Sequence, residues 1–166
     1  DLSELPAIVS ELIDGVLCDF LAMRAREGAA LKALIEARLV GIENEIAIVH
    51  TRLPVIMQHY RSKLAERLSE LEAALVPERL EQELVLFAQK IDVAEELDRL
   101  TAHVAEIRRV LNSGGAIGRR LDFLMQELNR EANTLGSKAS TADSAWSSVE
   151  LKVLVEQMRE QVQNVE

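Results

Sequence analysis

Cysteine, proline, glycine and aromatic residues are all scarce in this 166-residue chain. The single cysteine, Cys18, excludes an intramolecular disulfide framework and a multi-cysteine zinc site. No run of 18 uncharged apolar residues is present, which excludes a bilayer-spanning helix. The signatures of a glycine-rich phosphate loop, a nucleophile elbow and an HExxH zinc pair are missing as well. Only seven Gly and three Pro interrupt the chain, and 48% apolar residues stand beside 3% aromatic ones. That balance, rich in Ala, Leu, Glu and Arg, favours helices over sheets and argues against disorder. The expected fold class is all-α, as one domain or an elongated helical module with enough chain to bury a core. A reducing cytoplasm is the expected setting.

Apolar periodicity divides the chain. Ser3 to about Arg26 reads as a first helix with Leu5, Val9, Leu12, Ile13, Val16, Leu17 and Phe20 on a broad face, and with Pro6 tolerated in its first turn. A second pattern runs from about Gly28 to Leu75, through Leu31, Leu34, Ile35, Leu39, Ile42, Ile46, Val49, Leu53, Ile56, Tyr60, Leu64, Leu68 and Leu71. It is too long for a compact-domain helix and predicts a projecting hairpin or arm, kinked or broken at Pro54. Pro77 then opens a helix reaching Ile91. Asp92 and Glu95 have capping-box spacing, unless the helix runs straight on and leaves Asp92 free.

Val93, Leu97, Leu100, Val104, Ile107 and Leu111 follow in four-three alternation, a packing seam of coiled-coil type that Asn112-Ser-Gly-Gly115 ends. Gly118 to Lys138 carries a leucine stripe (Leu121, Leu124, Leu128, Leu135) and an unusually polar opposite face. A last helix is expected from about Thr141 to the chain end, with Val149, Leu154, Val155, Met158 and Val162 apolar. The resulting division is 1–76 as arm and oligomerisation region and 77–166 as a C-terminal helical domain.

The net charge of −9 opposes indiscriminate nucleic-acid binding. It is unevenly spread: Arg99 to Lys138 holds seven Lys/Arg against four acids, whereas the remainder holds 12 against 24. Any nucleic-acid-binding surface is therefore expected in that stretch, although the same arginines also suit an ordinary solvated helix face. On the polar face of this region Asn129, Asn133 and Thr134 weaken a helix by roughly a few tenths of a kcal/mol each, so tertiary contacts or a ligand should compensate.

Two clusters could carry chemistry. Glu95, Arg99, His103 and Glu106 share one helix face, with Glu96 seven residues before His103, and acid and imidazole on adjacent turns can hold a divalent ion or transfer a proton. The same spacing also suits an i,i+4 ion pair between Glu95 and Arg99 beside a solvated histidine. On the next helix Glu127 and Glu131 stand four apart and can share Mg2+ or Mn2+. They can equally pair with Arg120, Arg130 and Lys138 in a buried polar network between subunits. His50 and His59 lack ligand spacing and are read as surface or packing residues.

Three blocks in order carry a family resemblance: KIDVAEELDRLTAHV (Lys90–Val104), GRRLDFLMQELNREANTLGSK (Gly118–Lys138) and VELKVLVEQMREQVQNVE (Val149–Glu166). Together they resemble the C-terminal half of the YicC/YloC family of bacterial endoribonucleases, with a weaker likeness at RAREGAAL (Arg24–Leu31). Family members also carry an N-terminal α/β domain. A chain opening on Asp1, already inside an amphipathic pattern, is accordingly expected to be a fragment or a processed or partly ordered product. The segment ADSAWSSVE (Ala142–Glu150) departs from the family, which places aliphatic residues near Ser147 and Ser148.

The resemblance implies a cytoplasmic, divalent-metal-dependent endoribonuclease that cuts RNA, using Mn2+ or Mg2+. It also implies a ring-shaped homo-oligomer, a hexamer, with RNA entering a central channel, and no membrane association. Added to the two clusters, it makes His103, Glu127 and Glu131 the catalytic candidates and Asp92, Glu95, Glu96, Glu127 and Glu131 the metal candidates. Arg99, Arg119, Arg120, Arg130 and Lys138 are the candidate RNA contacts. The alternative is a non-catalytic helical module for oligomerisation and RNA binding.

Overall fold

A computed structural model describes residues 5–70 and 77–163. The expected helix start at Ser3, the stretch from Leu71 to Val76, the chain end beyond 163 and the Leu68 side chain lie outside the described residues. All described secondary structure is helical: α1 (Leu5–Glu70), α2 (Pro77–Lys90), α3 (Ala94–Leu111), α4 (Gly118–Ser137) and α5 (Ala142–Val162).

The first two expected helices are in fact one. α1 runs unbroken for 66 residues, roughly 100 Å at about 1.5 Å per residue. Gly28 costs about 1 kcal/mol in a helix but sits beside Ala29, Ala30 and Leu31, which favour one. Pro54 lies inside α1 without ending it. The proline removes the amide donor that the His50 carbonyl would otherwise have, and His50 and Pro54 are both exposed, where solvent can reach that oxygen.

The middle of α1 enters the core. Ile35, Leu39, Ile42, Ile46 and Val49 are buried with the α3 seam, the α4 leucines and Leu151, Val155, Met158 and Val162 of α5. Leu39, Ile42, Leu100, Ile107, Leu121, Leu128 and Leu151 are wholly removed from solvent, worth about 1.5–3 kcal/mol apiece relative to exposure. The apolar stripe of the expected arm is thus covered, between residues 35 and 49, by the chain's own α3 and α5. Residues 5–30 are exposed throughout, large side chains from Leu5 to Met23 included. At its far end α1 forms a hairpin with α2, closed by stacked Tyr60 and Phe87 rings 3.6 Å apart and by Arg61 bonded to Glu81 at 3.3 Å.

The turns differ in detail from expectation. No capping box forms at Asp92: Val93 is the N-cap of α3 and no side chain caps it. Asp92 instead accepts from the Ala94 amide at 3.1 Å, and Glu95 is bound by Arg99, whose full charge outcompetes a backbone amide. Gly114 and Gly115 adopt φ of 70° and 79°, as the end of α3 requires. A capping box does form at α5, where Thr141 and Ser144 bond each other's amides at 3.2 and 3.1 Å. In α5 Val149 is exposed and Leu151 is buried instead, while Ser147 and Ser148 are buried at the α4 contact.

Candidate metal centre

α3 and α4 pack side by side and antiparallel, so that paired residue numbers rise on one helix as they fall on the other. Lys138 Nζ donates to Glu96 Oε1 at 2.8 Å. One turn on, Arg99 Nη1 donates to Glu131 Oε1 at 3.3 Å while its other terminal nitrogen donates to Glu95. Farther along, Glu106 takes two bonds of 2.8 Å from Arg109 and a third from Arg120. These rungs form a polar ladder along the seam.

His103 occupies the gap in the ladder. It lies between Arg99 and Glu106 on α3 and faces Glu127 and Glu131, and one ligand atom from each of the three lies within 4.8 Å of the others. His103 and Glu127 are half-buried, whereas Glu131 is only 3% exposed. Two elements position the group: the α3 seam turns His103 towards α4, and Leu124, Leu128 and Ala132 fix the opposite side of α4 in the core.

The ladder is electrostatically asymmetric. Arg109, then Arg120, holds the Glu106 carboxyl down to about 2 against the opposing effect of desolvation. Arg99 is raised above its ordinary value by Glu95 first and Glu131 second. Glu96 is 6% exposed, and its Oε2 has no hydrogen-bond partner among the described residues. On the other side of α3, Arg108 binds Glu36 at 3.0 Å and Glu43 at 2.9 Å and ties α3 to α1. Sequence reasoning missed that network, since nothing in the spacing links residues 36, 43 and 108.

Of the metal candidates, Glu127 and Glu131 converge with His103. Asp92, Glu95 and Glu96 are engaged elsewhere, by the Ala94 amide, Arg99 and Lys138 respectively. The cation candidates divide likewise. Arg99, Arg120 and Lys138 are ion-paired in the ladder, while Arg119 and Arg130 are exposed with no ion pair among the described residues. The remaining polar face of α4 bonds to itself: Gln126 to Asp122 at 2.9 Å, Asn133 to Asn129 at 3.4 Å, and Thr134 to the Arg130 carbonyl at 3.1 Å. Asn129, Asn133 and Thr134 thus find their partners within α4 itself.

Residues 49–166 match the family described as endoribonuclease YicC-like, C-terminal. The chain belongs to the YicC-like family. It is 52% identical over 166 residues to the probable endoribonuclease YicC of Haemophilus influenzae, an alignment covering 98% of this chain and 58% of that protein. Against the probable endoribonuclease YicC of Clostridioides difficile it is 34% identical over 163 residues, covering 96% of this chain and 56% of the relative. The chain therefore spans little more than half the length of these YicC relatives. Every residue of the α3–α4 ladder falls inside the matched C-terminal segment, whereas Ile35, Leu39, Ile42 and Ile46 of the α1 core stripe fall before that segment. No helix among the described residues is long and apolar enough to cross a membrane.

Proposed function

We propose that the chain supplies the catalytic face of a metal-dependent endoribonuclease that hydrolyses RNA phosphodiester bonds in the cytoplasm. The carrying observation is the convergence of His103, Glu127 and Glu131 from two helices. The names of the relatives, each a probable endoribonuclease, support the same reading.

The donor set fits a divalent ion. Ligands of one octahedral ion at about 2.1 Å stand at most roughly 4.2 Å apart, so small side-chain rotations would close a group now within 4.8 Å. One imidazole nitrogen with two carboxylate oxygens suits Mn2+ better than Mg2+, which prefers oxygen alone. A bound ion would supply Lewis-acid charge opposite the phosphodiester oxygens. Glu131, buried and fixed by the core, orients the group. Glu127, more accessible, would offer one carboxylate oxygen to the ion and with the other accept the proton of the attacking hydroxyl or water. Arg119 and Arg130 contact phosphate, with Arg120 reaching it from the Glu106 rung.

Assembly is a second role, favoured by the exposed apolar residues from Leu5 to Met23. A ring-shaped homo-oligomer, a hexamer as the family resemblance implies, would cover them.

The test is RNA cleavage by the purified chain with Mn2+, Mg2+ or EDTA, repeated for Glu127→Gln, Glu131→Gln and His103→Ala. Cleavage should fall on the order of a hundredfold or more in each variant while RNA affinity stays near wild type. Normal cleavage with a lowered melting temperature would assign the three residues to structure.

A further inference from the structure

Arg99 is set apart from the other cations of the ladder. Lys138 and Arg120 bind carboxylates outside the His103–Glu127–Glu131 group, whereas Arg99 shares Glu131 with it. Glu131, at 3% exposure, needs a positive partner, because an unpaired buried carboxylate is costly. Two cations can fill that role, the Arg99 guanidinium or a divalent ion, and like charges that close repel.

The geometry also provides an exit. Arg99 is 47% exposed, and its second partner, Glu95, is 74% exposed one turn earlier on the same helix. Separate terminal nitrogens of Arg99 serve the two glutamates, Nη2 for Glu95 and Nη1 for Glu131. Releasing Glu131 therefore leaves Arg99 still paired, at the solvent edge, where holding it takes little rearrangement.

We infer that Arg99 is the internal competitor for the divalent ion at His103, Glu127 and Glu131, and that Glu95 is the carboxylate that draws it aside when the ion binds. The inference rests on the metal reading above and assigns Glu95 a role other than ligand. Arg99 is a positioning residue: metal-free, it neutralises Glu131, and metal-bound, it turns to Glu95 alone. Access of the ion to Glu131 is set by the balance between the two glutamates.

A Mn2+ titration by calorimetry on wild type, Arg99→Gln, Glu95→Gln and the double variant tests this. Arg99→Gln should tighten Mn2+ about tenfold, and Glu95→Gln should weaken it severalfold. In the double variant the Glu95 effect should vanish, since Glu95 acts only through Arg99. An equal Glu95 effect with and without Arg99, or weaker binding in Arg99→Gln, overturns the inference. As a readout in the unaltered chain, the Arg99 Nε resonance should shift on adding diamagnetic Mg2+ or Zn2+, and its failure to move while the ion binds counts against the inference equally. Two control variants separate this from failure of the metal site itself. If His103→Ala and Glu127→Gln bind Mn2+ as wild type does, both readings fall; if they lose Mn2+ while the Arg99–Glu95 cycle is flat, only the competition fails.

Discussion

Ser148 of α5 occupies the space that Gly136 of α4 leaves by having no side chain: a Cβ at Gly136 would fall 2.5 Å from Ser148 Oγ. The same hydroxyl donates to the Ala132 carbonyl at 2.9 Å, so it is pinned from below. Gly136→Ala should therefore destabilise the chain by about 1–3 kcal/mol through overpacking, despite alanine's better helix propensity. Ser148→Ala should rescue part of that loss, and thermal or urea unfolding of the two single variants and the double checks it. Additive losses would place the strain elsewhere.

Lys138 has a structural duty that its place on a basic stretch conceals. It bonds Glu96, which is nearly buried and has one oxygen without a partner. Lys138→Ala would leave that carboxylate uncompensated and should cost about 2–4 kcal/mol. Lys138→Ala with Glu96→Leu should restore most of it. RNA affinity at a temperature where the variant stays folded should change little, whereas a loss of affinity without a loss of stability would return Lys138 to the phosphate contacts.

Acid should loosen the ladder at a definite rung. Glu106 is held at about 2, chiefly by Arg109, against an ordinary value of 4.5. The folded state therefore resists protonation there more than the unfolded chain does, and acid favours unfolding. Its contribution is complete above about pH 4.5 and declines as pH falls towards 2. The melting-temperature gap between wild type and Glu106→Gln should be constant from neutral pH to about 5 and close below that. A gap unaffected by acid would mean that the rung is not formed in solution.

Much of this architecture was legible in the residue pattern. The α3 seam and the α4 leucines emerged because apolar residues every three or four positions admit only one buried face. At Pro54 the helix does not break: proline's local cost is fixed, but whether it ends a helix depends on whether the freed carbonyl lies where solvent can reach it, a tertiary property. Ser147 and Ser148 looked unfit for a core until Gly136 supplied the close approach that small residues need. At the site, the spacings Glu127–Glu131 and Glu95–Arg99 were visible. That His103 meets Glu127 and Glu131 while Glu95 and Glu96 do not depends on the α3–α4 register, which no intrahelical spacing encodes.

That register also sorts the basic residues by their freedom to meet the proposed RNA. Arg119 and Arg130 are exposed without an ion pair among the described residues, whereas Arg120 already shares Glu106 with Arg109. A phosphate contact by a cation with no internal partner gives up nothing, while one by Arg120 must displace a carboxylate. Each full phosphate contact contributes about 0.7 to the slope of log affinity against log salt for single strands. Arg119→Ala and Arg130→Ala should each reduce the slope by nearly that amount, and Arg120→Ala by distinctly less. Fluorescence anisotropy with a labelled single-stranded RNA over a series of salt concentrations measures all three. Equal reductions would show that Arg120 leaves Glu106 on binding, and unchanged slopes in Arg119→Ala and Arg130→Ala would place the RNA on another face.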